Sequence, residues 1–298
     1  MVSSTLSAPA PAERYPSAPL SALDTLWFQV AGTLCNIACT HCFISSSPTN
    51  RSHQMLSLDD VRRRLVEAER LGVREYYFTG GEPFLNPEIF PILEETLTCG
   101  PVTVLTNGLL LNPERCRRLK LLFEASEYSL DLRVSIDGYT PESNDPIRGA
   151  GTYVRILRGI RNLADAGLNP VVTVTEACPD AATAEGRTQF LEWMRGIGLS
   201  RPRLKVLSLF RIGAEERRLR AYESWETLRG RELAPAESEA LQCSSCRMVT
   251  SRGVYVCPIL IDEPAARMGE TLAETLRPFE LAFPSCFTCH VYGVTCRT

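Results

Sequence analysis

TLWFQVAGTLCNIACTHCFISS, Thr25 to Ser46, joins an apolar strand pattern to a loop with three cysteines. Cys35, Cys39 and Cys42 follow a C-x3-C-x2-C spacing, and the next cysteine is Cys99. A structural zinc site takes four ligands, often as two CxxC pairs, and a closed four-iron cluster takes four thiolates. Three thiols on one loop leave one metal corner open, where a substrate or cosubstrate can coordinate. Taken alone, the triplet is as compatible with zinc or chance as with catalysis.

Working outward, the pattern alternates between strand and helix. Ser57 with Asp60 three residues later reads as a capping box, and Leu58, Val61, Leu65, Ala68 and Leu71 give a helical period. REYYFTGGEP is a strand ending in two glycines, and Asn86 with Pro87 predicts a helix start running to about Thr98. VTVLTNG, LDLRVSIDG, PVVTVTEA and RLKVLSLF read as four more strands, separated by helices over Pro113 to Phe123, about Tyr153 to Leu163, and Phe190 to Ile197. Six strands alternating with helices imply an α/β fold with a parallel sheet. Right-handed crossovers place the strands' C-terminal ends, and with them the cysteine loop, on one rim.

Residues 1–22 are rich in Ala, Pro and Ser without periodicity, and read as a disordered tail. A main unit spans 23–213, a charged helical linker 214–240, and a cysteine-rich segment 241–298 with a hairpin pattern in RMVTSRGVYVC and a short helix about Met268 to Leu276. The formal charge of −3 and pI near 5.8 offer no field that would gather nucleic acid. No run of 18 apolar residues spans a membrane, and no export signal starts the chain, so a cytoplasmic location is expected. The twelve cysteines therefore point to metal rather than disulfides, since nine of them fall in two groups, one near each end.

The triplet after strand one, followed by TGGEP (Thr79 to Pro83) after strand two, resembles the radical S-adenosylmethionine (radical SAM) superfamily. The resemblance covers roughly residues 24–213 and implies a partial (β/α)6 barrel of parallel strands with a small cysteine-rich C-terminal extension. It implies that Cys35, Cys39 and Cys42 hold a 4Fe–4S cluster whose fourth iron is chelated by S-adenosylmethionine. One electron, from a flavodoxin- or ferredoxin-like donor, then releases a 5′-deoxyadenosyl radical that removes a hydrogen atom from substrate. Thr79, Gly80, Gly81 and Glu82 would hold the methionine amino group through backbone and side chain, a tight turn being the alternative. Ser135 in VSIDG matches a position that contacts the methionyl or ribose part, and Arg148 in PIRGAGTY one that reaches the carboxylate. A strand serine and a surface arginine are the plain readings of these two. Asn107 reads as a turn residue, and His41 stands where many members carry an aromatic residue.

The second group, Cys243, Cys246, Cys257, Cys286, Cys289 and Cys296, looks like a Twitch or SPASM extension, which implies an auxiliary 4Fe–4S cluster. Cys246, Cys257, Cys286 and Cys289 are the favoured ligands, with Cys243 and Cys296 as substitutes and zinc as the alternative metal. Cys178, just past the fifth strand, is a candidate hydrogen-atom donor or an ordinary structural cysteine. Three functions stay open: oxidation or bond formation on a peptide or small natural product, peptide epimerisation through Cys178, and a non-catalytic iron–sulfur or zinc protein. The tail is too short for a leader-binding module, which leans towards a small molecule or a separately delivered peptide. Nucleic acid and membrane partners are not expected.

Overall fold

The computed structural model describes residues 14–293. Its centre is a nine-stranded sheet built from β2 (Thr25–Gln29), β3 (Glu75–Thr79), β4 (Val102–Thr106), β5 (Leu130–Ser135), β6 (Val171–Thr175), β7 (Arg203–Leu207), β8 (Cys246–Thr250), β9 (Gly253–Tyr255) and β10 (Arg267–Gly269). The order is β10-β9-β8-β2-β3-β4-β5-β6-β7, and β2 to β7 pair parallel in sequence order. The six expected strands are therefore present, and they form the partial barrel.

Helices α1 (Leu58–Leu71), α2 (Ile89–Thr96), α3 (Pro113–Ala125), α5 (Thr152–Asp165) and α6 (Ala184–Gly196) make the crossovers. The α1 capping box forms as the spacing predicts: Asp60 N–H donates to the Ser57 hydroxyl, and Ser57 N–H to the Asp60 carboxylate at 2.9 Å. The period of two on β2 divides the interior. Leu26, Phe28 and Val30 pack with Val61, Leu65 and Ala68 of α1, whereas Trp27 turns to the other face with Tyr77 and Met248. The latter face encloses the site.

Several local expectations are overturned by tertiary contacts. Regular helix α2 begins only at Ile89, although Asn86 caps the turn before it as expected: its Oδ1 accepts from Glu88 N–H at 2.9 Å, while its amide donates to the carbonyls of Val30 and Leu56, both at 2.8 Å. Helix α4 (Pro141–Arg148) was not legible through its two prolines, yet Pro141 occupies its first turn and Thr140 with Ser143 forms a capping box. The described part of the tail expected to be disordered is paired: β1 (Ser17–Ala18) runs antiparallel to β11 (Phe279–Glu280). The expected linker holds only α7 (Ala214–Arg218) and α8 (Pro235–Ala240), with irregular chain between them. Most of it is exposed, as a solvated face should be, but Glu215 and Glu226 are buried, paired with Arg218 and with Arg211 and Arg220. About Met268, a strand stands where a helix was expected, and only Ala273–Thr275 turns.

The C-terminal segment is not an appendage. Strand β8 pairs parallel with β2, Thr25 opposite Cys246 and Phe28 opposite Val249, and β9 closes the expected hairpin. Helix α9 (Pro284–Tyr292) follows, and Cys296 lies outside the described residues.

Candidate active site

A cavity of about 220 Å³ opens at the C-terminal ends of the parallel strands. Cys35, Cys39 and Cys42 all line it, from the loop that leaves β2, together with Thr79, Gly80, Gly81, Ser135 and Arg148. The structure thus brings together every residue expected at the first site except Glu82. Burial raises the pKa of all three thiols, Cys35 to about 11 and Cys39 to about 12. Without metal they are protonated, and ligation must release those protons.

The glycines earn their place differently from the sequence expectation of approach to a ligand. A Cβ on Gly81 would lie 1.9 Å from the Leu34 carbonyl oxygen and 2.7 Å from the Cys35 nitrogen. Gly81 N–H donates to Gly32 O at 2.9 Å and Glu82 N–H to Leu34 O at 3.0 Å. The GGEP turn is therefore a seat for the cysteine loop. Glu82 is fully buried, and its carboxylate accepts from Thr106 Oγ1 and Asn107 N–H, each at 2.8 Å, and from Phe84 N–H at 3.1 Å. Burial pushes its pKa up, against those hydrogen bonds. The Glu82 side chain, expected to contact cosubstrate, is bonded within the fold and does not line the cavity.

Asn107, read only as a turn residue, is the missed member. Its side-chain N–H donates to Cys35 Sγ at 3.6 Å and to Asn36 Oδ1 at 2.7 Å. Strand β4 ends there, so Glu82, Asn107 and Cys35 form one chain of contacts from turn to thiol. The TNG spacing alone held no signal for that thiol contact.

Asp137 was also missed. It is fully buried beyond β5, with Arg148 Nε 2.7 Å and His41 Nε2 2.6 Å from Oδ2. Burial alone would raise its pKa, but Arg148 and His41 hold the carboxyl well below its ordinary range. Arg148 is consequently a buried, ion-paired group rather than a surface arginine.

Cys178 is placed against the donor reading. It is 2% exposed and packs with Val174, Ala181 and Phe190, and it does not line the cavity. Period two fits this: Thr175, the last residue of β6, lines the cavity, Cys178 follows at an odd spacing of three, and the chain then turns at Pro179 towards the helices.

A second pocket is lined by Cys243, Cys257, Cys286 and Cys289, with apolar neighbours such as Leu241, Val256 and Leu281. Helix α9 puts Cys286 and Cys289 three residues apart on one face. Cys246, expected as a ligand, is instead built into β8, with Sγ 3.8 Å from Val256 O, and Cys243 takes its place. Ile259 lines both pockets, so one residue layer separates them. Arg247 is fully buried beside the thiols, and its N–H groups go to backbone carbonyls of Cys243, Cys246, Thr275 and Arg277. Among the described residues, no three His, Cys, Asp or Glu side chains form a site for a single metal ion.

Residues 30–193 match the family model described as the radical SAM superfamily. The chain belongs to the radical SAM superfamily. Mycofactocin maturase MftC of Mycobacterium ulcerans is 37% identical over 134 residues, 45% of this chain and 34% of that protein. GTP 3′,8-cyclase of Tolumonas auensis is 28% identical over 191 residues, 63% of this chain and 54% of that one. The matches thus span about a third to a half of these curated relatives. In fold, the chain is similar to anSMEcpe with bound AdoMet (TM-score 0.61, 16% identity, 84% and 79% of the chains covered). It is also similar to Streptococcus suis SuiB bound to precursor peptide SuiA (TM-score 0.63, 16% identity, 88% and 65% covered). As a radical SAM protein it is an enzyme that uses a 4Fe–4S cluster and S-adenosylmethionine. No helix among the described residues is long and apolar enough to cross a membrane.

Proposed function

We propose that the chain is a radical SAM maturase that oxidises, or forms a bond within, a peptide at an apolar residue. The observation that carries the substrate class is the cavity wall. Phe43, Ile44, Leu209, Phe210, Met248 and Ile261 line it, and its one arginine or lysine, Arg148, is already paired with Asp137. A nucleoside triphosphate, the substrate named for the GTP cyclases, needs several free cations. An apolar side chain needs a dry wall of this kind. Peptides accompany the fold in SuiB, and the mycofactocin relatives are named maturases.

In this reading Cys35, Cys39 and Cys42 hold the first cluster, and Asn107 fixes the Cys35 sulfur. Thr79, Gly80 and Ser135 face the cosubstrate, with Arg148 beside its carboxylate. The group bound there supplies a one-electron cleavage of the sulfonium, the electron coming from a flavodoxin- or ferredoxin-like partner. Residues 241–293 form a Twitch-like unit in which Cys243, Cys257, Cys286 and Cys289 hold an auxiliary four-iron cluster. Four thiols and no carboxylate or imidazole make a soft donor set. Arg247 supports an anionic occupant, since a buried guanidinium with only carbonyl partners is costly unless negative charge lies near. With every corner held by protein, that cluster would take up an electron from the substrate radical rather than bind substrate.

Two measurements test this. Reconstituted protein should hold about eight irons per chain, as two four-iron clusters. Cys243→Ala should lose about half of them and Cys246→Ala none; the reverse result returns Cys246 to the ligand set, and zinc in the second site removes the cluster. A small-peptide extract should stimulate 5′-deoxyadenosine formation, and digestion of that extract with proteinase K should abolish the stimulation. Stimulation that survives digestion makes the substrate a small molecule.

A further inference from the structure

Three groups in the wall of the cavity come from three separate elements: His41 from the cysteine loop, Arg148 from the end of α4, and Thr175 from the end of β6. All three converge on one carboxylate that does not itself line the cavity. Asp137 Oδ2 is 2.7 Å from Arg148 Nε and 2.6 Å from His41 Nε2. Asp137 Oδ1 accepts from Thr175 Oγ1 at 2.6 Å and from Thr175 N–H at 3.0 Å. Asp137 is in turn fixed through its own N–H, which donates to Asn144 Oδ1 of α4 at 3.1 Å. A second tie joins the same pieces, from Thr40 N–H to Ile147 O at 2.9 Å.

We propose that Asp137 is the positioning residue of the cosubstrate site: it orients His41, Arg148 and Thr175, and balances the Arg148 charge beside Cys39 and Cys42. The physical reason is that three hydrogen-bond donors and the Arg148 charge share two fully buried oxygens, so no wall group can turn without leaving a buried donor or charge unpaired. The same charge also faces the metal-binding thiols. An unbalanced Arg148 favours the more reduced, more negative state of whatever the thiols hold. Asp137 therefore affects both the fit of the cosubstrate and the ease of reducing the first cluster. This rests on the cosubstrate reading of the cavity given above.

The test uses the full chain, reconstituted anaerobically, with Asp137→Asn. The variant keeps the shape and removes the charge. Iron bound by Cys35, Cys39 and Cys42 should stay at the wild-type level. The change that S-adenosylmethionine produces in the electron paramagnetic resonance spectrum of the reduced cluster should require at least tenfold more S-adenosylmethionine. The cluster's midpoint potential should move positive, which a residue serving only the fold would not cause. Wild-type S-adenosylmethionine dependence together with a wild-type potential overturns the proposal. If Asp137→Asn does not fold, Thr175→Val decides, because it removes one hydroxyl donor and leaves the charge pair. Several-fold weaker dependence at an unchanged potential supports the proposal, and unchanged dependence overturns it. A wild-type spectrum indifferent to S-adenosylmethionine overturns the cosubstrate reading as well, whereas equal responses in both proteins overturn only the role of Asp137.

Discussion

At Gly81 the distances decide between two accounts of the same motif. A ligand-contacting glycine, once replaced, would weaken cosubstrate binding and spare the iron. Here the added Cβ would lie 1.9 Å from Leu34 O, inside the cysteine loop. That contact is with backbone, so the loop itself must move. Gly81→Ala is therefore expected to lose most of the first site's iron, which an iron assay on reconstituted protein reads directly. Full iron with weakened S-adenosylmethionine binding would restore the ligand account. Arg148→Ala is expected to behave the other way, holding its iron and losing a charge-assisted contact of about 1.5–3 kcal/mol in S-adenosylmethionine binding. Titration at unchanged affinity would remove Arg148 from the cosubstrate site.

Among the elements, the irregular stretch between α7 and α8 depends on one carboxylate. Glu226 accepts from Arg220 Nη1 at 2.7 Å and from Glu223 N–H at 2.9 Å, and it also pairs with Arg211. Hydrogen bonds from Arg220, against some desolvation, lower its pKa from 4.5 to about 2. A depressed carboxyl pKa means that the unfolded form binds the proton more tightly. The contribution to local order is complete above pH 4.5 and disappears as pH falls towards about 2. Trp225 reports on it, since its ring meets Phe287 edge-on at 5.9 Å and its N–H reaches Glu223 at 2.9 Å. The emission of Trp225, taken as wild type minus Trp225→Phe, should be flat from pH 7 to about 4.5 and change below it. Glu226→Gln should show the low-pH emission already at pH 7. An identical profile in the two proteins would mean that other contacts hold the segment.

For the molecule as a whole, the cysteine-rich segment completes the sheet instead of decorating it. Ending the chain at residue 240 would remove β8 from beside β2 and expose Trp27 and Tyr77, which stack with centroids 4.4 Å apart and are buried with Met248 and Ile261. Burial of each large apolar side chain contributes about 1.5–3 kcal/mol, and a whole domain is stable by only about 5–15 kcal/mol. The shortened chain is expected to aggregate or to lose its cooperative unfolding transition in urea. A soluble product with a sharp transition and four irons would show that the barrel folds without residues 241–298.

Short-range chemistry made part of this protein legible from its sequence. The six strand segments, the Ser57 cap and the order of the triplet before GGEP depend on neighbours within a few residues. They are written locally and survived unchanged. Ser135 and Arg148 rest on the family resemblance rather than on local chemistry, and both line the cavity. What could not be read depended on partners far along the chain. Asn107 meets Cys35 72 residues away, and Asp137 meets His41 96 residues away. Cys243 and Cys246 differ by three positions, and only the pairing of Cys246 with Thr25 in the sheet decides which of the two reaches the second pocket. Cys178 lay at the right end of the right strand, but the turn at Pro179 buries it on the helix side. Spacing along the chain determined the element and the rim; packing across the sheet decided which side chains face the cavity.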